Sequence, residues 1–310
     1  MDADYRILGR LMAWVLASAL MLSATISRAI VFPNEGRLEA GVGADQQKLD
    51  GVGKVMCVDQ RLRGITYTAT GWVLGSADTV VTVGHALFPG AAPGQPAKIL
   101  NPRYCMFILY GPDQRVRGYA RVRYAMSPWS ESHLRYDSSY DVAVLKLDRD
   151  MPVTSIPAVQ TSSGRAMSSV SLAAFHTGVA ETHRVMVTQG PLRPFPAERL
   201  SYAAGSMRVT IASHMFSTSA GSTSGSSGGM YYDGRTHAAI GLHVGWICDT
   251  AQKRISFDPA RCFNYGLRFD AAIAQLVDMA VQDRPIRQRL VDSDGAADGL
   301  ASAHLDNRAG

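Results

Sequence analysis

The sequence predicts an all-β fold that ends in a single helix. Glycine is frequent, at 29 of 310 residues, and clusters of Ser, Thr and Gly separate short apolar runs. These runs are rich in Val, Ile, Thr and Tyr, the residues that strands favour. Apolar residues at helical spacing are nearly absent until the end of the chain. The pattern therefore indicates many short strands joined by turns.

Eight runs have the strand pattern, and each is bounded by turn-forming residues. They cover residues 67–74, 79–83, 115–124, 142–147, 169–175, 184–188, 207–211 and 237–244. Tyr232-Asp233-Gly234 is typical of a hairpin turn.

The terminal helix is predicted over residues 270–282. Asp270 is a suitable N-cap, and the apolar residues that follow it lie on one helical face. From residue 283 to 310 the chain becomes polar and small-sided, which predicts a flexible tail.

The first 29 residues resemble an export signal. Arg6 and Arg10 precede an apolar run, and Ser27-Arg28-Ala29 offers small residues at the two positions that a signal peptidase reads. The run is shorter than the ~20 apolar residues of a membrane span. We therefore predict a signal peptide over residues 1–29, a secreted or periplasmic protein, and no stable membrane association after cleavage; an uncleaved anchor is the alternative.

Four cysteines, Cys57, Cys105, Cys248 and Cys262, are present, and none forms the C-x-x-C pair of a zinc or redox site. In an exported protein an even number indicates disulfides. Three pairings are possible. We expect Cys57 with Cys105 and Cys248 with Cys262, one bond in each half of the chain; free buried thiols are the alternative in a cytosolic protein.

The net charge of +5 comes from dispersed basic residues. Arg115, Arg117, Arg121 and Arg123 recur mostly at period two, which predicts a solvated strand face. We therefore expect no nucleic-acid partner.

Three local patterns contain candidate catalytic residues. Thr82-Val83-Gly84-His85-Ala86 follows an apolar strand, and Asp141 stands at the start of the run Val142-Ala143-Val144-Leu145. Gly225-Ser226-Ser227-Gly228-Gly229 places a serine in a glycine-rich loop. Asp137 is a rival acid, and Ser224 and Ser226 are rival serines.

The chemistry of these residue types is that of nucleophilic catalysis. A serine hydroxyl attacks well only when a base takes its proton, and imidazole is suited to that role near neutral pH. A buried carboxylate holds the imidazole in the required tautomer. The attacked carbonyl becomes an oxyanion and needs donors aimed at it, here the amides of Gly225 and Ser227.

The patterns resemble the motifs of the trypsin-like serine proteases, in particular the bacterial branch that includes glutamyl endopeptidases. That family has T-A-x-H, D-[IV]-A-[LV]-L and G-[DN]-S-G-[GS] motifs around its histidine, aspartate and serine. Thr70-Gly71-Trp72-Val73-Leu74 is similar to the strand before the histidine, and the run from Ala239 to Gly245 resembles the strand that lines the substrate cleft. The resemblance covers roughly residues 50–282.

This resemblance implies two antiparallel six-stranded β-barrels followed by the helix. The first barrel, residues 30–152, would carry the histidine and aspartate, and the second, residues 153–269, the serine and the specificity pocket. It implies a monomeric serine endopeptidase that acts on polypeptides without a metal or cofactor. A catalytically inactive homologue that binds proteins is the alternative. An esterase would require the chain order Ser, Asp, His.

The family also implies substrate-binding residues. In glutamyl endopeptidases a histidine matching His243 helps to bind the acidic side chain, assisted by a hydroxyl residue matching Ser222. Val244 and Gly245 continue the same strand. A structural role for His243 is the alternative.

Three departures from the family pattern stand out. Val83 replaces the usual small alanine in the histidine motif, with Gly84 before the histidine, and no cysteine follows His85. Ser226 stands where digestive proteases have the aspartate that pairs with the new N-terminus after activation. Without a carboxylate at position 226 we expect no such latch. Bacterial relatives also lack that aspartate, so Ser226 does not argue against activity.

Overall fold

The computed structural model describes residues 38–39, 45–59, 65–89, 98–160, 168–176, 183–196, 209–248 and 256–291. The predicted signal peptide, residues 1–29, lies outside the described residues. No helix in the described part of the chain is long and apolar enough to cross a membrane.

The described residues form mostly strands. These are β1 (Leu38–Glu39), β2 (Val52–Asp59), β3 (Ile65–Val73), β4 (Thr79–Thr82), β5 (Cys105–Tyr110), β6 (Val116–Met126), β7 (Ala143–Leu147), β8 (Ser169–Ala174), β9 (Met186–Pro194), β10 (Met215–Thr218), β11 (Met230–Tyr232), β12 (Ala239–Cys248) and β13 (Cys262–Arg268). The helices are α1 (Asp45–Lys48) and α2 (Ala271–Val281).

The first barrel is closed and antiparallel, with strand order β2-β3-β4-β7-β6-β5. In β6 the side chains alternate: Ala120 and Val122 are buried, whereas Arg117, Arg121 and Arg123 are exposed. This alternation confirms the predicted solvated arginine face. Strands β4 and β7 are buried along their whole length because they lie between the barrel interior and the rest of the protein.

The second barrel has the order β9-β10-β13-β12-β11-β8, and the pairing of β8 with β9 closes it. Strand β1 adds to the edge of β9. The predicted fold class, two six-stranded antiparallel barrels with a C-terminal helix, is therefore confirmed.

Each barrel contains one disulfide. Cys57 lies directly opposite Cys105 on β2 and β5, and Cys248 lies opposite Cys262 on β12 and β13. Both bonds are formed, and they match the expected pairing.

Helix α2 begins where the sequence predicted. The side chain of Asp270 accepts a hydrogen bond from the amide of Ile273 at 2.9 Å. The helix buries Ile273, Leu276, Val277 and Ala280 against the first barrel and the strands around it.

The predicted flexible tail is wrong for its first residues. The amide of Ser127 donates to the carbonyl of Arg289 at 2.7 Å, and the amide of Val291 donates to the carbonyl of Ala125 at 2.9 Å. Residues up to 291 therefore lie along the end of β6, where they satisfy backbone groups that would otherwise be unpaired.

The predicted strand at 207–211 is also wrong in its described part. Residues 209–211 form no strand, because the amide of Thr210 turns to Ser139 Oγ at 3.2 Å and that of Ile211 to the same oxygen at 3.0 Å. Strands β2, β5, β10, β11 and β13 were not predicted as separate strands.

Candidate active site

Strand β4 delivers His85 to the face between the barrels. The strand ends at Thr82, and a short turn at Gly84–Ala86 presents the imidazole, whose side chain is 24 % exposed. A Cβ at position 84 would lie 3.1 Å from Asp141 Oδ1 and 3.2 Å from Ser127 Oγ. Glycine at this position therefore allows the carboxylate to approach the histidine closely.

Asp141 follows the turn at Ser138–Tyr140 and is fully buried. Its Oδ2 lies 2.7 Å from His85 Nδ1, and its Oδ1 accepts the backbone amide of His85 at 2.9 Å. The two carboxylate oxygens thus fix both the ring and the backbone of the histidine. Nε2 is left on the opposite side of the ring as the basic nitrogen.

The electrostatics of the pair suit a general base. Burial by itself would lower the pKa of His85, but the charge and hydrogen bond of Asp141 outweigh burial and raise this pKa above its usual value. The carboxylate therefore makes the imidazole a stronger proton acceptor.

The loop with Ser227 consists of two overlapping turns. The amide of Ser226 donates to the carbonyl of Thr223 at 3.1 Å, and that of Gly229 donates to the carbonyl of Ser226 at 2.8 Å. Gly225 and Gly228, each the third residue of its turn, have φ of 88° and 83°. This geometry defines type II turns, which favour glycine at that position.

Ser226 supports the first turn locally. Its hydroxyl is buried and donates to the carbonyl of Thr223 at 2.6 Å. The residue that replaces the aspartate of digestive proteases therefore bonds within its own loop.

The loop lies against the strands that lead to His85. The amide of Thr70 donates to the carbonyl of Ser227 at 2.8 Å, and Thr82 Oγ1 donates to the carbonyl of Thr70 at 2.7 Å. A Cβ at Gly228 would lie only 2.1 Å from the Thr70 carbonyl oxygen. Glycine is thus required for this close approach.

Among the described residues, no hydrogen bond joins the hydroxyl of Ser227 to His85. The structure therefore brings His85 and Asp141 into direct contact and places the serine loop beside them. Hydrogen bonds of this kind are often long in the free enzyme and shorten when substrate binds.

The same loop contains two unused donors. Within the described part of the chain, the amides of Gly225 and Ser227 donate to no protein acceptor, whereas those of Ser226, Gly228 and Gly229 all do. Two neighbouring amides without partners are suited to receive an oxyanion.

His243 lies directly behind the serine loop. Its backbone carbonyl accepts the amide of Gly228 at 2.7 Å, its amide donates to the carbonyl of Gly229 at 2.8 Å, and its Nδ1 lies 3.0 Å from Tyr231 Oη. Burial, with smaller contributions from the nearby His176 and His85, lowers the pKa of His243 to about 3. The imidazole is therefore neutral at neutral pH.

The other predicted substrate-binding residues are Ser222, Val244 and Gly245, and each contacts a different kind of group. Ser222 is buried, and its hydroxyl donates to Asn264 Oδ1 at 3.0 Å. Val244 is buried in the apolar core. A Cβ at Gly245 would lie 3.2 Å from Tyr265 Oη, so this position faces that hydroxyl.

The rival acid Asp137 has a different role in the structure. It is buried, it caps the turn before Asp141 by accepting the amide of Ser139 at 2.9 Å, and it also binds the hydroxyl of Thr210. It therefore connects the turn of the first barrel to residues of the second.

Sequence reasoning missed several residues around the loop. His176 Nδ1 lies 3.1 Å from Thr223 Oγ1, which donates to the carbonyl of Ser224 at 3.3 Å and so holds the peptide unit that contains the Gly225 amide. Tyr231 and Asn264 were missed as well. No local motif marks these partners, because barrel closure brings them to the loop.

No protein-family model matches the chain, and no curated protein matches its sequence. Its fold is similar to that of a Glu endopeptidase, at 15% identity over 82% of this chain and 100% of that chain, with a TM-score of 0.54. It is also similar to the protease Anisep from Arthrobacter nicotinovorans, at 16% identity, 75% and 96% coverage and a TM-score of 0.52. A thermostable serine protease, AL20, from an extremophilic microorganism matches at 18% identity, 75% and 97% coverage and a TM-score of 0.50. The chain therefore has the trypsin-like two-barrel fold, which it shares with these three proteases.

Proposed function

We propose that the protein is an exported serine endopeptidase in which Ser227 is the nucleophile, His85 the general base and Asp141 the orienting acid. The observation that carries this proposal is the fully buried Asp141, which binds His85 through both carboxylate oxygens beside a serine loop with two free amides. A carboxylate costs several kcal/mol to bury unless it is paired. Its burial against a histidine whose side chain is 24 % exposed is therefore typical of catalysis.

The reaction follows from these positions. The Ser227 oxygen attacks the carbonyl carbon of the scissile peptide bond and gives its proton to His85 Nε2. The carbonyl oxygen becomes an oxyanion that accepts hydrogen bonds from the amides of Gly225 and Ser227. The imidazolium then protonates the leaving amine, the C–N bond breaks, and an acyl-enzyme remains.

The second half of the reaction restores the enzyme. A water molecule attacks the acyl carbon and gives one proton to His85 Nε2. The tetrahedral species then expels the Ser227 oxygen, which takes that proton back, and the new carboxyl product leaves.

Export to an oxidising compartment is part of the proposal. Two disulfides in the structure support it, since such bonds persist mainly outside the cytosol. The predicted signal peptide would supply the route.

A fluorophosphonate probe tests the nucleophile without knowledge of the substrate. We expect labelling of the wild-type protein at Ser227, loss of labelling in Ser227→Ala and retention in Ser224→Ala, the neighbouring serine. A folded wild-type protein that is not labelled would support the inactive, protein-binding homologue instead.

A mixed peptide library tests the substrate preference, which we propose His243 and Ser222 help to set. The neutral imidazole offers an N–H donor rather than a charge, and the Ser222 hydroxyl already donates to Asn264. Cuts after Glu or Asp, read by mass spectrometry, would support the acidic preference that the resemblance implies. Cuts after Lys, Arg or large apolar residues would remove it.

A further inference from the structure

We propose that Thr70 is a positioning residue for the oxyanion site, acting from the first barrel on the serine loop of the second. The inference rests on the proposed function, since it assigns a role in the same reaction. It concerns the hydroxyl of Thr70, which contacts neither Ser227 nor His85 through their side chains.

Thr70 holds two carbonyl groups of the serine loop. Its Oγ1 donates to the carbonyl of Gly225 at 2.7 Å, and its amide donates to the carbonyl of Ser227 at 2.8 Å. Thr70 itself is fully buried, so water does not compete for these bonds.

The two carbonyl groups that Thr70 binds lie on either side of the Ser227 amide, one of the two proposed oxyanion donors. The Gly225 carbonyl belongs to the peptide unit before Ser226, and the Ser227 carbonyl belongs to the unit after Ser227. The peptide unit between them contains the Ser227 amide. Since each unit is planar, fixing both neighbours restricts the direction in which this N–H points.

The Thr70 hydroxyl has its own orientation fixed. Its oxygen accepts the amide of Phe175 at 3.0 Å, which leaves the hydroxyl proton for the Gly225 carbonyl. The Thr70 carbonyl accepts the hydroxyl of Thr82, three residues before His85. Strands β3 and β4 therefore position both His85 and the loop that contains the oxyanion donor.

The proposal assigns the effect to the hydroxyl of Thr70 and not to the size of its side chain. Thr70→Ser keeps it, and Thr70→Ala removes it. Thr68→Ala is the matched control, because Thr68 lies on the same strand but is exposed. The measurements are the second-order rate constant of fluorophosphonate labelling and, for a peptide that the enzyme cleaves, kcat and KM.

Loss of one oxyanion donor costs about 10² to 10³ in kcat, and a misdirected donor costs less. We therefore expect Thr70→Ala to label at least about tenfold more slowly, with kcat reduced and KM nearly unchanged. Thr70→Ser and Thr68→Ala should stay within about threefold of the wild type. A purely structural role would lower the melting temperature without this kcat-selective loss.

Two results would overturn the inference while leaving the proposed function intact. One is wild-type labelling by Thr70→Ala; the other is an equal loss in Thr70→Ser, which would assign the effect to shape. If the wild type is not labelled at Ser227, the proposed function fails, and this inference with it. Should Thr70→Ala not fold by near-UV circular dichroism, Thr70→Val replaces it, with the same expected loss relative to Thr70→Ser.

Discussion

The two barrels fill their interiors differently, and the difference matches what each contributes to the site. Buried side chains of the first barrel, such as Val55, Val81 and Leu145, belong to a large apolar cluster that also includes residues of the second barrel. The second barrel has in addition a small apolar cluster of its own, and polar side chains such as Thr188 and Asn264 are buried in that barrel.

The reason lies in the kind of group that each barrel presents. The first barrel supplies two side chains at the ends of strands, which apolar packing holds in place. The second supplies backbone amides on a loop, whose carbonyls need partners of their own. Asn264 Nδ2 donates to the carbonyl of Ala220 at 2.7 Å, and Thr188 Oγ1 donates to that of Gly221 at 2.9 Å. Polar side chains of the second barrel therefore bind individual carbonyl groups of the segment that leads into the serine loop.

The largest expected effect lies in the first barrel. Asp141→Asn cannot hold the His85 tautomer or stabilise the imidazolium, so kcat/KM should fall on the order of 10⁴-fold. Asp137→Asn is the matched control: the residue is equally buried but bonds to Ser139 and Thr210, so its loss should be far smaller. Similar losses in both variants, measured by peptide hydrolysis, would contradict the assignment of the acid.

The motifs explain why the catalytic residues were predictable. His85, Asp141 and Ser227 each stand in a short pattern of neighbouring residues, and such patterns are readable without the fold. Their partners are not. Asn264 reaches the Ala220 carbonyl, and Thr70 reaches the serine loop, only through strand register and the packing of the two barrels.

The fold errors have the same origin. The chain from residue 283 onward was predicted to be a flexible tail, but its residues up to 291 pair with backbone groups at the end of β6. Residues 209–211 have strand-forming side chains, but their amides turn to Ser139 instead of a neighbouring strand. Composition cannot indicate which distant residue will accept or donate the hydrogen bonds of these backbone groups.

The second prediction concerns the pH dependence of the free energy of unfolding, to which one histidine in each barrel contributes. His243 in the second barrel has a lowered pKa, so between pH 6.5 and about 3 the unfolded state binds a proton that the folded state does not. The free energy of unfolding should therefore fall as the pH drops through this window, by about 5 kcal/mol from this residue. The pKa of His85 in the first barrel is raised, so its stabilising contribution is present below pH 6.5 and is lost as the pH rises through the folded-state pKa.

Urea unfolding between pH 3 and pH 8 measures these contributions. His243→Asn removes the titration, so the slope of stability against pH in the acid window should become shallower. An unchanged slope in His243→Asn would contradict a neutral buried imidazole.

The third prediction compares the two disulfides. The first-barrel bond joins residues 48 apart, and the second-barrel bond residues 14 apart. On the chain-entropy account, replacing both cysteines of a pair by alanine should cost roughly 4 kcal/mol in the first barrel and roughly 3 kcal/mol in the second. Denaturant unfolding of the two double variants measures the order. The reverse order would indicate that local packing around Cys248 and Cys262, rather than the length of the closed loop, determines the stabilisation.

The smallest expected effect tests the polar interior of the second barrel directly. Asn264→Ala removes the donor to the Ala220 carbonyl and the acceptor of the Ser222 hydroxyl, so it should destabilise the protein by about 2 to 3 kcal/mol. Asn101→Ala is the matched change in the first barrel, where the side chain caps an exposed turn and its loss should cost about 1 kcal/mol.

Activity separates this account from a general loss of stability. If buried polar groups hold the serine loop, folded Asn264→Ala should also show a lower kcat, because the chain from Ala220 to Ser227 is continuous. Asn101→Ala should keep the wild-type kcat. Equal destabilisation by the two variants, with kcat unchanged in both, would contradict this account. The turns of the serine loop alone would then position its amides, without help from the buried polar side chains of the second barrel.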